Sequence, residues 1–144
     1  MLVEIKQLLS DQEIRICQSI LANEKFQDGK LSAGMAAQQV KNNQEVPQNS
    51  AAISQLNNLV MSRLLQHPTY QNAVFAKHIA APFYARYTKG MQYGDHIDDP
   101  IMGPPQGRYR PDVSMTVFLN SPEDYQGGEL LVHTPFGDQK VKLP

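Results

Sequence analysis

A histidine and an aspartate two positions apart are the residues in this sequence best suited to do chemistry. His96 and Asp98 lie at the end of a strand-like run that starts near Phe83. Side chains two apart on a strand point to the same face, so His96 and Asp98 are predicted to project together, with Asp95 and Asp99 on the opposite side. An imidazole and a carboxylate on one face supply two ligands of a 2-His-1-carboxylate triad, which holds Fe(II) and leaves positions open for oxygen and a co-substrate. A surface His–Asp pair is the alternative interpretation.

Composition narrows the class of protein. The chain has 144 residues, about the size of one domain, and a formal net charge of -1, so no broad basic field for nucleic acid is expected. No apolar run reaches the length of a membrane span, and the N-terminus lacks the pattern of a signal peptide. The single cysteine, Cys17, is predicted to be a core residue and cannot form an internal disulfide, which fits a reducing cytoplasm.

The first half of the chain has mainly helical signals. Ser10 and Glu13 form a capping-box pattern that predicts a helix ending near Asn23. A second helix is predicted from about Ser50 to Gln66. Residues 2–9 read as a short strand, 26–30 as a turn, and 31–50 as loop with short extended pieces.

The second half has mainly strand signals. Strands are predicted at 74–79, at 83–88 and, after a turn at Lys89 and Gly90, through His96 and Asp98. Residues 112–120 alternate most clearly, and 128–134 and 139–143 follow with a turn between them. Helices followed by short strands with tight turns predict an α+β layout built on a β-sandwich or jelly roll.

Four segments carry a resemblance to a known family. The chain resembles the PKHD-type hydroxylases, which are bacterial members of the prolyl-4-hydroxylase-like Fe(II)- and 2-oxoglutarate-dependent dioxygenases. The resemblance runs through nearly the whole sequence, and the segments occur in the family's order: 83–87 (FYARY), 90–98 (GMQYGDHID), 114–120 (SMTVFLN) and 125–130 (YQGGEL).

The resemblance implies a fold and a reaction. N-terminal helices and loops at 1–73 are expected to pack on a double-stranded β-helix, or jelly-roll core, whose first part is 74–144. His96 and Asp98 would hold Fe(II), and hydroxylation of a small-molecule or peptide substrate would be coupled to conversion of 2-oxoglutarate into succinate and CO2. Ascorbate is a candidate reductant, and homo-oligomerisation is left open.

The family's remaining site residues are not found in this sequence. The chain ends before the positions of the distal histidine and of the arginine that grips 2-oxoglutarate. The jelly roll is therefore expected to be incomplete at the C-terminus, and these 144 residues alone to bind iron weakly and to turn over little 2-oxoglutarate. His133 lies on a predicted strand but too early to match the distal histidine.

Two tyrosines and a loop complete the expected site. In related hydroxylases, tyrosines at places corresponding to Tyr87 and Tyr93 line the co-substrate pocket, and a phenol suits a small dicarboxylate in a mostly dry pocket. Half-buried core aromatics are the equal alternative. The proline- and glycine-rich loop 99–111 directly follows Asp98 and is predicted to be a mobile cover for the site, with an ordinary hairpin connection as the alternative.

Two other classes of function stay open on the sequence. One is a non-catalytic β-sandwich binding module that keeps part of a metal site. The other is a cupin-like metal-binding protein that uses His133 with His96 and Asp98 and needs no 2-oxoglutarate. Succinate formation that depends on iron and 2-oxoglutarate would separate the dioxygenase from both.

Overall fold

Residues 2–144 are described by the structure, a computed structural model, and they contain both helices and small antiparallel sheets. The α+β class predicted from the sequence is therefore confirmed. The helices are α1 Asp11–Ala22, α2 Met35–Gln38, α3 Ala51–Gln66 and α4 Pro68–Ala73, with a 3-10 helix at Gly29–Ser32. The strands are β1 Gln27–Asp28, β2 Lys41–Asn42, β3 Gln44–Glu45, β4 Ala85–Arg86, β5 Gln92–Tyr93, β6 Leu130–Thr134 and β7 Gly137–Val141.

The described chain divides into two compact units, each drawn from separate stretches of sequence. The first unit comprises residues up to 24, 49–82 and 117–144, and it contains α1, α3, α4 and the β6–β7 hairpin. Its core lies where α1 packs on α3, with Cys17, Leu56 and Leu64 almost completely buried. The predicted core position of Cys17 is thus confirmed.

Local signals define both long helices. Ser10 caps α1, and the capping box is present, because the Ser10 hydroxyl accepts from the Glu13 N–H while the Glu13 carboxylate accepts from the Ser10 N–H. Ser50 caps α3, which ends at Gln66 before His67 and a proline. Both predicted helices are confirmed. Helices α2 and α4 are short, and the sequence analysis did not predict them.

Glu13 also joins α1 to α3. Its Oε1 accepts a 2.6 Å hydrogen bond from Nε of Arg63. The pKa of Glu13 is lowered to about 2, chiefly because the Ser10 N–H and hydroxyl donate to its carboxylate, with a further contribution from Arg63. One carboxylate therefore holds a helix start and a contact between helices.

The second unit comprises residues 25–48 and 83–116 and holds the two sheets that frame the histidine and aspartate singled out above. Strands β1, β3 and β4 form one antiparallel sheet, and β2 pairs antiparallel with β5 in the other. The segment 41–45 contains β2 and β3 and so contributes to both sheets. Along it Lys41, Asn43 and Glu45 are buried, and Asn42 is exposed.

Several predicted strands are absent from the described chain. No strand forms at 2–9, 74–79 or 112–120, and the predicted strands at 83–88 and 91–98 shrink to β4 and β5. The prediction at 112–120 was wrong although the alternation is clear, since Val113 and Met115 are 63% and 47% exposed. Alternation marks a buried face only where a neighbouring strand supplies the ladder, and none of the described strands pairs with residues 112–120.

The last two predicted strands are confirmed as a hairpin. Strands β6 and β7 pair antiparallel from Leu130 with Val141 to Thr134 with Gly137. The turn ends at Gly137, whose φ of 114° belongs to the left-handed region that favours glycine. Among the described residues, no helix is long and apolar enough to cross a bilayer.

The packing of Gly29 against Asn43 gives a first testable prediction. A Cβ added at Gly29 would collide with Oδ1 of Asn43, and Gly29 is buried. Gly29→Ala is expected to lower the free energy of unfolding by about 1–3 kcal/mol, the usual cost of overpacking. Gly107→Ala is the matched control, because the nearest atom to its added Cβ is 3.8 Å away. Urea denaturation measures both, and equal loss in the two variants would contradict the steric explanation.

The lowered pKa of Glu13 gives a prediction of pH dependence. A carboxyl whose pKa is about 2 in the folded chain and near 4.5 unfolded stabilises the fold above pH 4.5. That stabilisation is lost as the pH falls from 4.5 towards 2. Glu13→Gln keeps a capping side chain but removes the charge, so its stability should differ from wild type most at about pH 7 and converge by about pH 2. Urea denaturation across this range tests the prediction, and a gap that stays constant with pH would refute it.

Candidate metal centre

His96 and Asp98 face each other in the second unit. Nε2 of His96 lies 3.6 Å from Oδ1 of Asp98, and the two side chains are 26% and 50% exposed. A first-row metal ion bonds imidazole nitrogen and carboxylate oxygen at about 2.0–2.2 Å, so two atoms at this separation can share one ion. The structure therefore brings together the pair that the sequence singled out.

The cause of this proximity differs from the one predicted. β5 ends at Tyr93, and no strand continues through His96 within the described residues, so strand alternation does not align the two side chains. Instead Nδ1 of His96 lies 2.7 Å from the carbonyl oxygen of Gly94. The Gly94 N–H in turn donates to the Val40 carbonyl at 2.9 Å, which extends the pairing of β2 with β5. A backbone turn anchored on β2 thus orients the imidazole.

The hydrogen bonds of the pair fit a bound cation. A carbonyl oxygen only accepts, so the contact with Gly94 places the proton of a neutral imidazole on Nδ1 and leaves the lone pair on Nε2. That lone pair faces an oxygen of the Asp98 carboxylate, which also only accepts. Metal-binding histidines commonly donate their second ring N–H to a backbone carbonyl in this way. An imidazole nitrogen and a carboxylate oxygen are both ligand types that bind Fe(II).

Asp98 and Asp99 have separate partners. Oδ2 of Asp98 accepts a hydrogen bond from the Ser114 hydroxyl, which leaves Oδ1 towards His96. The Asp99 carboxylate lies against Gly34, where an added Cβ would collide with it. The two neighbouring carboxylates therefore have different surroundings. Asp98 faces the His96 imidazole, whereas Asp99 lies against Gly34.

Tyr93 is part of the histidine's immediate surroundings. Its ring stacks on the His96 imidazole with centroids 3.7 Å apart and planes 9° from parallel. Burial raises the pKa of Tyr93, and the negative charge of Asp98 raises it further. The phenol therefore keeps its proton at neutral pH and can donate a hydrogen bond.

Tyr87 is held by Asn43. The Tyr87 hydroxyl accepts a 2.9 Å hydrogen bond from Nδ2 of Asn43, so its own proton stays free for another acceptor. Burial raises the pKa of Tyr87, although the bond from Asn43 opposes the shift. Oδ1 of Asn43 is buried against Gly29 and has no hydrogen-bond partner among the described residues.

A buried ion pair lies beside these tyrosines, and the sequence analysis missed it. Nζ of Lys41 is 2.6 Å from Oε1 of Glu45, with each side chain 6% exposed, and it also donates to the Ser32 hydroxyl at 2.8 Å. The same ammonium lies 5.0 Å from the centroid of the Tyr93 ring. A signal was present: in an alternating segment, 41, 43 and 45 share one face, and opposite charges at its ends can pair there.

His133 and the loop 99–111 each have partners of their own. His133 belongs to the first unit, on β6, where its Nδ1 is 2.7 Å from Oδ1 of Asp138 on β7. In the loop 99–111, Met102 and Tyr109 are joined by two backbone hydrogen bonds of 2.9 Å. Within residues 2–144, no group of three or more His, Cys, Asp or Glu side chains is placed to hold a metal ion.

Comparisons with known proteins give consistent names. The chain is 48% identical over 144 residues to a PKHD-type hydroxylase of Thioalkalivibrio sulfidiphilus, a match that covers 100% of the chain and 64% of that protein. It is 42% identical over 146 residues to one from Paracoccus denitrificans, again with 100% and 64% covered. One from Hyphomonas neptunium is 40% identical over 149 residues, with 100% and 65% covered.

No family model matches the chain. The matches to curated proteins nevertheless extend over all or nearly all of it, and the chain spans less than two thirds of the length of those relatives. Aligned from end to end, the chain is similar to the PKHD-type hydroxylases.

Proposed function

We propose that this chain is part of an Fe(II)- and 2-oxoglutarate-dependent dioxygenase that hydroxylates a small-molecule or peptide substrate. The observation that carries the proposal is the pair of facing acceptor atoms, Nε2 of His96 and Oδ1 of Asp98, 3.6 Å apart. The hydroxylase names of the relatives support the same class of reaction. In this proposal residues 74–144 form the first part of a jelly-roll core.

The residues have distinct roles in this proposal. His96 and Asp98 would hold the metal, while the contacts with Gly94 and Ser114 orient the imidazole and the carboxylate. Iron supplies activation of oxygen, with 2-oxoglutarate as the two-electron reductant that leaves as succinate and CO2. Ascorbate would serve as an auxiliary reductant.

Tyr87 and Tyr93 are proposed to contact 2-oxoglutarate. Both phenols are protonated at neutral pH, and burial raises their pKa values further above neutrality. A neutral hydroxyl donates to a carboxylate without adding negative charge, which suits a dianionic co-substrate. The Tyr87 proton is free to do so, since its oxygen already accepts from Asn43.

Three alanine variants test the metal ligands. In the complete enzyme, His96→Ala and Asp98→Ala are each expected to weaken Fe(II) binding by at least about tenfold, because each removes a ligand and not merely an outer hydrogen bond. Asp99→Ala is the matched control, since this neighbouring carboxylate lies against Gly34. Anaerobic iron titration measures all three. An equal loss of affinity in Asp99→Ala would refute the assignment.

Binding linkage tests the co-substrate without knowledge of the substrate. If 2-oxoglutarate chelates the iron beside His96, each ligand must tighten the other's binding by the same factor, expected to be at least about fivefold. Glutarate, which keeps both carboxylates but lacks the keto group, is the control and should give a smaller effect. Titrations of Fe(II) with and without each diacid measure the coupling.

The same titrations separate the proposal from its two rivals. A non-catalytic binding module shows no coupling between Fe(II) and 2-oxoglutarate. In a cupin-like site His133→Ala would weaken Fe(II) binding. In the proposed dioxygenase this variant leaves the affinity unchanged, because His133 is engaged with Asp138 on the β6–β7 hairpin.

A further inference from the structure

Lys41 is a buried cation that contacts Tyr93, the residue whose ring stacks on His96 of the candidate metal centre. Its side chain is 6% exposed, and its ammonium has three neighbours: the Glu45 carboxylate at 2.6 Å, the Ser32 hydroxyl at 2.8 Å and the Tyr93 ring centroid at 5.0 Å. A cation within about 6 Å of an aromatic centroid is attracted to the face of the ring, more strongly when water is excluded.

Tyr93 connects Lys41 to His96, because its ring contacts both side chains. Its ring stacks on the imidazole at 3.7 Å, nearly parallel. Lys41 is also the strand partner of Tyr93 in the pairing of β2 with β5. The residue before Lys41, Val40, accepts the Gly94 N–H that anchors the turn carrying His96.

Strand β2 and the residue before it therefore influence the His96 ring in two ways. The Val40 carbonyl anchors the turn that carries His96, and the Lys41 side chain contacts Tyr93, which stacks on the imidazole. The hydrogen bond between Nδ1 and the Gly94 carbonyl restrains the imidazole at one ring atom. Stacking on Tyr93 adds a second restraint, which acts on the plane of the ring. A ligand held in one plane directs its Nε2 lone pair in one direction, which raises metal affinity by reducing the ordering required on binding.

We propose that Lys41 is a positioning residue of the metal centre, which holds Tyr93 against His96 and so fixes the plane of the metal-binding imidazole. The inference rests on the proposed role of His96 as an iron ligand. Glu45 and Ser32 keep the ammonium in place, and Glu45 neutralises its charge in the buried site. Lys41 acts on His96 through Tyr93 in this proposal.

The test removes the cation without leaving its partner charged. Lys41→Met alone would leave Glu45 as a buried carboxylate without its partner, which is strongly destabilising. The double variant Lys41→Met/Glu45→Gln replaces the pair by neutral side chains of similar length, and Lys41→Arg is the conservative rescue. Three quantities are measured for each: thermal stability, the NMR shifts of the His96 ring protons without metal, and Fe(II) affinity without 2-oxoglutarate.

The expected results separate positioning from general folding. The double variant should stay folded, lose the ring-current shift of the His96 protons that Tyr93 stacking produces, and bind Fe(II) about 2- to 30-fold more weakly, the range of a cation–π contact. Lys41→Arg should keep the ring-current shift of the His96 protons and the Fe(II) affinity close to wild type. A folded double variant with unchanged His96 shifts and unchanged affinity would overturn the proposal.

A second variant covers the case in which the double variant does not fold. Tyr93→Leu removes the ring between the cation and the imidazole and leaves the Lys41–Glu45 pair intact, so it should cause the same losses. Unchanged His96 shifts in Tyr93→Leu would also overturn the proposal. If the complete wild-type enzyme fails to bind Fe(II), the proposed function fails, whereas the NMR shifts still decide whether Lys41 positions His96.

Discussion

The buried pair of Lys41 and Glu45 is the constraint around which the second unit is built. Removing two charges from water costs several kcal/mol for each ion, so the pair persists only where geometry and added hydrogen bonds compensate. Ser32 and the face of Tyr93 supply those contacts. The two ends of the ion pair lie on β2 and β3, which pair with β5 in one sheet and with β1 and β4 in the other.

How much could be predicted from the sequence depends on how local each determinant is. Helices α1 and α3 have capping residues, Ser10 and Ser50, next to their own amphipathic runs, so the sequence alone locates them. The short strands of the second unit depend on partners from distant stretches of the chain, such as Lys41 with Tyr93. The clear alternation at 112–120 forms no ladder, since alternation reports which face could be buried and not whether a partner strand is present.

The candidate site shows the same division. The closeness of His96 and Asp98 was predicted from their spacing, but the geometry comes from a turn fixed by Gly94 and Val40, a contact between distant stretches. Lys41 was overlooked because its segment buries polar residues, so a search for apolar alternation finds nothing there. Asp98 and Asp99 are chemically identical, and only the positions of Ser114 and Gly34 distinguish their surroundings.

The segment 41–45 buries polar side chains at alternate positions, and this pattern restricts how the stretch of chain can change in length. Polar side chains alternate inward along it, and its two strands are registered against different sheets. A single inserted or deleted residue would turn Asn42 and Gln44 inward, expose both charges, and shift one sheet relative to the other. Tolerance of insertions is thus lowest here, whereas the exposed loop between Asp99 and Pro111 can vary in length without disturbing the register of any named strand.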